Sequence, residues 1–197
     1  GFLTWIAPDE WEQTLHLLRE DRYWIEYRMM ITASVLRDGI ELLRLDALND
    51  VVVSRGGEMG LVRVSAYIDS GWTTPYNCDA VIVATATGST AYALASGGPI
   101  LPPELRNLLV VPVAPHLSLD RSIVLPRGAD VDLRIEEMRI HPFLAIDGVN
   151  VFQFQANDIL RVQASQHTAR FVRLREKTYF YRSLLDRLEP RVSNEPR

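Results

Sequence analysis

The 197-residue sequence holds one cysteine, Cys78, so a disulfide framework is excluded and a reducing compartment is implied. Beside Asp79, that thiol reads as a small buried hydrophobe rather than a nucleophile. Basic excess is also missing. Lys and Arg total 21 against 25 Asp and Glu, a formal charge of -4, which excludes the electrostatic footprint of a nucleic-acid binder. No apolar run is long enough to span a bilayer and no signal peptide is legible. Neither nucleic acid nor membrane is expected as a partner, and the cytoplasm is the expected location. Internal repeats and low-complexity segments are absent. The length suits one domain, or one lobe of a larger enzyme, and can bury a sizeable core.

What is present centres on Cys78 to Pro99, C-D-A-V-I-V-A-T-A-T-G-S-T-A-Y-A-L-A-S-G-G-P. The β-branched run Ala80 to Ala84 has the composition of a buried strand. It stops at Thr85, Thr87, Gly88, Ser89 and Thr90. Ala91 to Ala95 then suit a short helix, ended by Gly97, Gly98 and Pro99. That order predicts free hydroxyls and unpaired N–H groups at a helix mouth, a place for anions and sugar hydroxyls. No Lys sits in the loop, so it is not a Walker loop. Physics alone leaves two readings open here: a ligand site, or a Ser/Thr cap followed by a packed turn.

Along the chain, Pro8 opens a helix to about Asp21, with Trp11, Leu15 and Leu18 as its apolar face. Tyr23 to Leu36 and Ile40 to Leu45 read as strands joined by an Asp38-Gly39 hairpin turn. Val51 to Val53, Leu61 to Ile68 and the short segment Trp72 to Tyr76 follow. Leu108 to Val113, Ile123 to Leu125, Val131 to Ile135 and Phe143 to Ile146 are further strands. Asp147-Gly148 turns a second hairpin into Val149 to Phe154. Asp158 to Val162 and Ala169 to Leu174 are the last two strands. Tyr179 to Leu188 reads as a helix with Phe180, Leu184 and Leu188 on one stripe. Many short strands with regular turns predict a mainly β, sandwich-like domain with a few peripheral helices.

The stretch T-A-T-G-S-T-A-Y-A-L-A-S-G-G-P-I resembles the signature loop of NAD kinases, T-P-T-G-S-T-A-Y followed by G-G-P. Asp46-Ala47-Leu48-Asn49-Asp50-Val51-Val52 is similar to the family's A-L-N-E-V-V. Asp79 begins a stretch like its D-G-x-I-V-A-T strand. Pro112 to Ser118 resembles its P-I-x-P-H-S-L-S segment, and Ala145-Ile146-Asp147-Gly148 its S-x-D-G turn. Departures are Asp50 for Glu, Ala86 for Pro, the Ala95-Ser96 order, and Ser122 for Pro.

The resemblance implies the β-sandwich-like C-terminal domain of the NAD kinase fold. It implies phosphoryl transfer from ATP, or polyphosphate in some members, to the 2′-hydroxyl of the adenosine ribose of NAD, giving NADP. Asn49 and Asp50 would face the ribose and adenine. Thr87 and Thr90 would contact the adenine region, Ala91 would lend backbone, and Tyr92 would pack its ring on the ligand. Asp79 would stand near the nicotinamide end, and Asp147 matches the acidic residue of the D-G turn. His116 and Arg121 fall in a segment that implies packing rather than catalysis. NAD and ATP are the implied substrates, with a divalent metal, Mg, accompanying ATP; no residue here is assigned as a metal ligand. A dimer or tetramer is implied.

Gly1-Phe2-Leu3 is similar to the triplet that follows the family's first domain, which carries a Gly-Gly-Asp-Gly loop with the catalytic aspartate. That loop does not occur in these 197 residues. The expectation is one nucleotide-binding domain over 1–189 and a flexible tail over 190–197, with the N-terminal α/β domain absent, no catalytic residue present, and no activity alone. The 179–188 stripe would then be exposed where that domain packs. Two other readings remain: a lipid kinase of the related sphingosine and diacylglycerol kinases, and a non-catalytic NAD-binding or oligomerisation module.

Overall fold

The computed structural model describes residues 6–136, 140–176 and 180. The chain divides into two compact units. One joins residues 1–26 to 170–197, and the other is Tyr27–Ala169.

In the first unit, Pro8 begins a single 3-10 turn (Pro8–Glu10) that runs into helix α1, Trp11–Arg19. The Glu10 carboxylate accepts the Ala7 N–H at 2.8 Å and two bonds from the Arg175 guanidinium, at 2.7 and 2.9 Å. The Ala7 bond first, then Arg175, hold that carboxyl below its ordinary range. Polar contacts at its start anchor the helix, while Trp11 and Leu15 of the expected apolar face stay exposed. The stripe expected over 179–188 lies outside the described residues except for Phe180. Phe180 is helical and buried, which corrects the expectation that it is exposed.

Among the described residues, twelve strands form two six-stranded antiparallel sheets. The first has the order β2-β1-β12-β9-β4-β5, with β1 Trp24–Arg37, β2 Ile40–Ala47, β4 Val62–Ile68, β5 Gly71–Cys78, β9 Val131–Ile135 and β12 Ile159–Arg173. The second has the order β11-β10-β3-β6-β7-β8, with β3 Asp50–Ser54, β6 Ala80–Thr85, β7 Leu108–Val113, β8 Ile123–Leu125, β10 Phe143–Ile146 and β11 Val149–Gln153. Both Asp-Gly turns form as expected. Asp38 and Gly39, and Asp147 and Gly148, all take positive φ, the conformation a two-residue antiparallel turn demands.

Within Tyr27–Ala169 the sheets pack face to face. Ile31, Val64, Leu133 and Leu160 of one meet Val51, Val53, Val83 and Leu108 of the other in a single core cluster. The opposite face of the second sheet is also covered. There Val52, Ile82, Leu109 and Val111 pack with Ala86, Ala93 and Leu101. A strand buried on both faces has no polar side, so β6 reads as an unbroken apolar run. Cys78 is fully buried, and burial pushes its thiol up to about 12.

Two strands differ from the pattern. The segment at Trp72 is a full eight-residue strand. The two strands expected at 158–162 and 169–174 are one strand of 15 residues. Its polar middle lacks an apolar signal, yet its side chains are tied to β2. Ser165 Oγ donates to Asp46 Oδ1 at 3.1 Å, and His167 Nδ1 lies 2.6 Å from Asp46 Oδ2. Leu133 is wholly buried in the inter-sheet core. Leu133→Ala lowers unfolding stability by about 2–5 kcal/mol in urea denaturation, and the half-exposed Val124→Ala by no more than about 0.5 kcal/mol.

Candidate functional site

Strand alternation turns Asp50, Val52 and Ser54 of β3 away from the inter-sheet core, onto the outer face of the second sheet. Their neighbours on that face are small, notably Ala80 and Ala145. Small floor residues leave room, and a cavity of about 570 Å3 lies there. Asn49 and Asp50 line it at the start of β3, with Arg55 and Gly56 just past the strand's end. Ala91 and Tyr92 and the turn Asp147-Gly148 complete the wall, and Tyr92 is 45% exposed.

The start of β3 is held by a carboxylate. Asp147 accepts the N–H groups of Leu48 at 2.8 Å, Asn49 at 2.7 Å and Asp50 at 3.1 Å. In return the Asp147 N–H donates to the Asp50 carbonyl at 3.0 Å. Asp50 is 5% exposed. Burial first, and the Asp147 charge second, push its carboxyl up to about 6. At the far end of the strand Arg55 Nε lies 3.1 Å from Asp79 Oδ1, and Arg55 Nη1 donates to the Glu58 carbonyl at 2.7 Å.

The signature turn is tied inward. Thr85 Oγ1 donates to the Leu48 carbonyl at 2.6 Å and accepts the Gly88 N–H at 3.1 Å. Ser89 Oγ donates to the Ala86 carbonyl at 2.7 Å and accepts the Leu101 N–H at 2.9 Å. Thr90 Oγ1 donates to the Thr87 carbonyl at 3.1 Å, and Arg28 Nη1 donates to Thr87 Oγ1 at 3.1 Å. The free hydroxyls expected at a helix mouth are therefore engaged. The turn itself is a 3-10 piece, Gly88–Thr90, ahead of the four-residue helix α2, Tyr92–Ala95. Gly88 packs directly on the Asn49 backbone, where an added Cβ would lie 2.0 Å from the carbonyl oxygen.

Of the residues singled out in the sequence, Asn49, Asp50, Asp79, Ala91, Tyr92 and Asp147 come together around the cavity. Thr87 and Thr90 do not line it; they brace the turn behind it. Arg55 belongs to the cavity wall but to none of the sequence motifs. The pairing of Ser54 with Ala80 puts it beside Asp79, so the β3–β6 register is the signal that reveals it.

The family profile of the ATP-NAD kinase C-terminal domain matches residues 48–174. The chain belongs to the NAD kinase family. The NAD kinase of Chloroflexus aurantiacus (strain J-10-fl) is 40% identical over 188 residues, covering 95% of this chain and 68% of the relative. That of Thermoanaerobacter sp. (strain X514) is 33% identical over 191 residues, covering 97% and 67%. The chain thus spans about two thirds of the length of these NAD kinases. Among solved structures, yeast NADH kinase complexed with NADH superimposes with a TM-score of 0.86 at 24% identity, covering all of this chain and 57% of that one. An Archaeoglobus fulgidus NAD kinase in complex with ATP gives 0.74 at 23% identity, covering 93% and 68%. At those identities the likeness is one of fold. Every residue lining the cavity lies inside the matched family segment.

Two outcomes follow from this geometry. Gly88→Ala forces the turn off Asn49 and lowers stability by at least about 1–3 kcal/mol, whereas Gly57→Ala, with open space around its Cβ, changes it by less than about 0.5 kcal/mol; thermal and urea unfolding compare the two. The second concerns pH. The Asp50 carboxyl rises from an ordinary 3.8 unfolded to about 6 folded, so its neutral form suits the native state. Its contribution is full below the unfolded value and is lost as pH climbs from 3.8 through about 6. Asp50→Asn removes that loss, making the variant more stable than the parent above this window by up to about 3 kcal/mol, at about 1.4 kcal/mol per pH unit. Urea titrations across the window read the difference directly.

Proposed function

We propose that this chain supplies the nucleotide site of an NAD kinase, in which ATP phosphorylates the 2′-hydroxyl of the adenosine ribose of NAD to give NADP. The observation that carries the reading is that the family segment and the cavity are built from the same residues. In this reading the domain spans 1–189. Asn49 and Asp50 face the ribose and adenine, because a carboxylate accepts the paired hydroxyls of a ribose well. Tyr92, half out in solvent, offers a ring face to a base. Ala91 offers backbone at the same wall. Asp147 acts through the backbone it clasps, and Thr87 and Thr90 act by bracing the turn. Arg55 and Asp79 mark the nicotinamide end of the cavity.

The relatives' partners support the substrates: the yeast neighbour is complexed with NADH and the archaeal one with ATP. Magnesium would enter on the ATP phosphates. Among the described residues no three His, Cys, Asp or Glu side chains are grouped to hold it. The phosphoryl group would reach a ribose hydroxyl oriented by Asp50, with Tyr92 and the small floor residues fixing the nucleotide against the sheet. A charged wall with three carboxyls suits this polar acceptor better than the acyl chain of a lipid. We place the protein in the cytoplasm as a homo-oligomer. Exposed Ile40, Leu42 and Leu45 on edge strand β2 support self-association, and the free buried thiol supports a reducing compartment.

Calorimetric titration tests the reading. NAD binds the folded chain saturably. Tyr92→Ala weakens binding by about 1–3 kcal/mol of stacking, about 5- to 150-fold. Asp50→Ala weakens it by a similar factor through a lost charge-assisted bond of about 1.5–3 kcal/mol. A folded chain that ignores NAD defeats the reading.

A further inference from the structure

Another cavity, of about 450 Å3, shares no lining residue with the nucleotide site. It opens on the outer face of the first sheet. Ile31, Ala33 and Val35 of β1 point into the inter-sheet core, so strand alternation turns Thr32 and Ser34 outward. The register sets Asp46 of β2 opposite Thr32, and Arg44 opposite Ser34, on that same face. The middle of β12 supplies the remaining wall.

That wall carries an imidazole held in one orientation. Asp46 Oδ1 accepts the Thr32 hydroxyl at 2.6 Å and the Ser165 hydroxyl at 3.1 Å, and Asp46 Oδ2 lies 2.6 Å from His167 Nδ1. Ser165 Oγ in turn accepts the His167 backbone N–H at 3.0 Å. The residue is thus fixed both at its backbone and at Nδ1. Nε2 is the nitrogen left for a ligand, on a side chain that is 79% exposed. Burial works against the charge of Asp46, but the bonds from Thr32, His167 and Ser165 outweigh it and hold the carboxyl below its ordinary range. Arg44 lines the same cavity. Its Nε and Nη2 hold Glu41, while Nη1 has no hydrogen-bond partner among the described residues. Gln163 and Gln166 add amide groups.

We propose that this cavity is a separate ligand site, which takes the phosphate group of a small phosphorylated molecule between His167 and Arg44. When the ring is protonated, Nε2–H and the Arg44 Nη1 group both donate, and a tetrahedral oxyanion supplies the acceptors they lack. The carboxylates are engaged elsewhere: Asp46 with three donors, and Glu41 with Arg44 from outside the cavity wall. Their charge offsets much of the cationic charge, so binding depends on the proton of the ring. The ionisable residues of the wall are Arg44, Asp46 and His167, and β1 contributes only the Thr32 hydroxyl. A metal ion is served less well, because among the described residues no three His, Cys, Asp or Glu side chains are grouped to hold one. The volume exceeds the needs of a phosphate group and leaves room for the rest of a small molecule.

NMR titration of the full chain tests the proposal, with the imidazole signals as the readout. The probes are inorganic phosphate, ribose 5-phosphate, ribose and sulfate. The chain has four histidines, and His167→Gln identifies the signal of this one. At about pH 6, phosphate and ribose 5-phosphate shift the His167 signal saturably, and ribose does not. His16, an exposed histidine also paired with a carboxylate, Glu20, is unmoved. Arg44→Gln, a change at an exposed residue, weakens phosphate binding at least about tenfold. Sulfate keeps its charge across the range, so its affinity follows the ring: it falls at least about tenfold between about pH 6 and about pH 8. A His167 shift that is linear in phosphate, or matched by His16, means an adventitious ion only and overturns the proposal. Equal sulfate affinity at both pH values, or phosphate affinity unchanged in Arg44→Gln, overturns it as well.

Discussion

Three backbone N–H groups in succession, from Leu48, Asn49 and Asp50, converge on the carboxylate of Asp147. The rest of the site depends on this contact. A chain entering a strand leaves N–H groups with no ladder partner, and burying them unpaired is costly. A carboxylate satisfies all three at once. Doing so ties the β10–β11 turn to the start of β3, and Gly88 then packs on the same Asn49 backbone from the other side. Three segments far apart in sequence meet within one small volume, and the cavity opens where they meet.

The scaffold beneath explains why such a site is stable. The second sheet is buried on both faces, by the first sheet on one and by α2 and the Leu101 segment on the other. Its central strands cannot shift register without exposing apolar side chains. Residues projecting from that sheet are accordingly held in place. Where its outer face carries Ala80, Ala145 and Ser54 instead of larger residues, the cover is interrupted and the floor of the cavity remains. The hydroxyls of the signature turn serve this scaffold first, since each of Thr85, Ser89 and Thr90 donates to a backbone carbonyl. The cavity wall is left to Tyr92, Asp50 and Ala91.

Much of the architecture is legible in the sequence because its signals are local. Asp38-Gly39 and Asp147-Gly148 announce two-residue turns through the φ values those residues tolerate. Apolar runs such as Ala80 to Ala84 announce strands with no solvent face. The long strand Ile159–Arg173 is not legible as one element, because its exposed middle lacks apolar residues and its side-chain ties to Asp46 are remote in sequence. Arg55 is hidden for a related reason. Nothing near it in sequence marks it, and its pairing with Asp79 exists only once β3 lies beside β6.

The sequence by itself determined the family, the turn positions, the strand-rich class and six of the residues that meet at the cavity, because motifs and periodicity record local chemistry. Only the tertiary structure decided which hydroxyls point inward, which carboxyl is clasped, which is paired and which is left open. Those outcomes depend on register and on distances between segments up to about a hundred residues apart, as in the pairing of Leu48 with Asp147. The Asp50 carboxyl shows the difference most plainly. Its identity is written in the chain, but its burial, its closeness to Asp147 and its place on the cavity wall arise only when three separate segments are brought together.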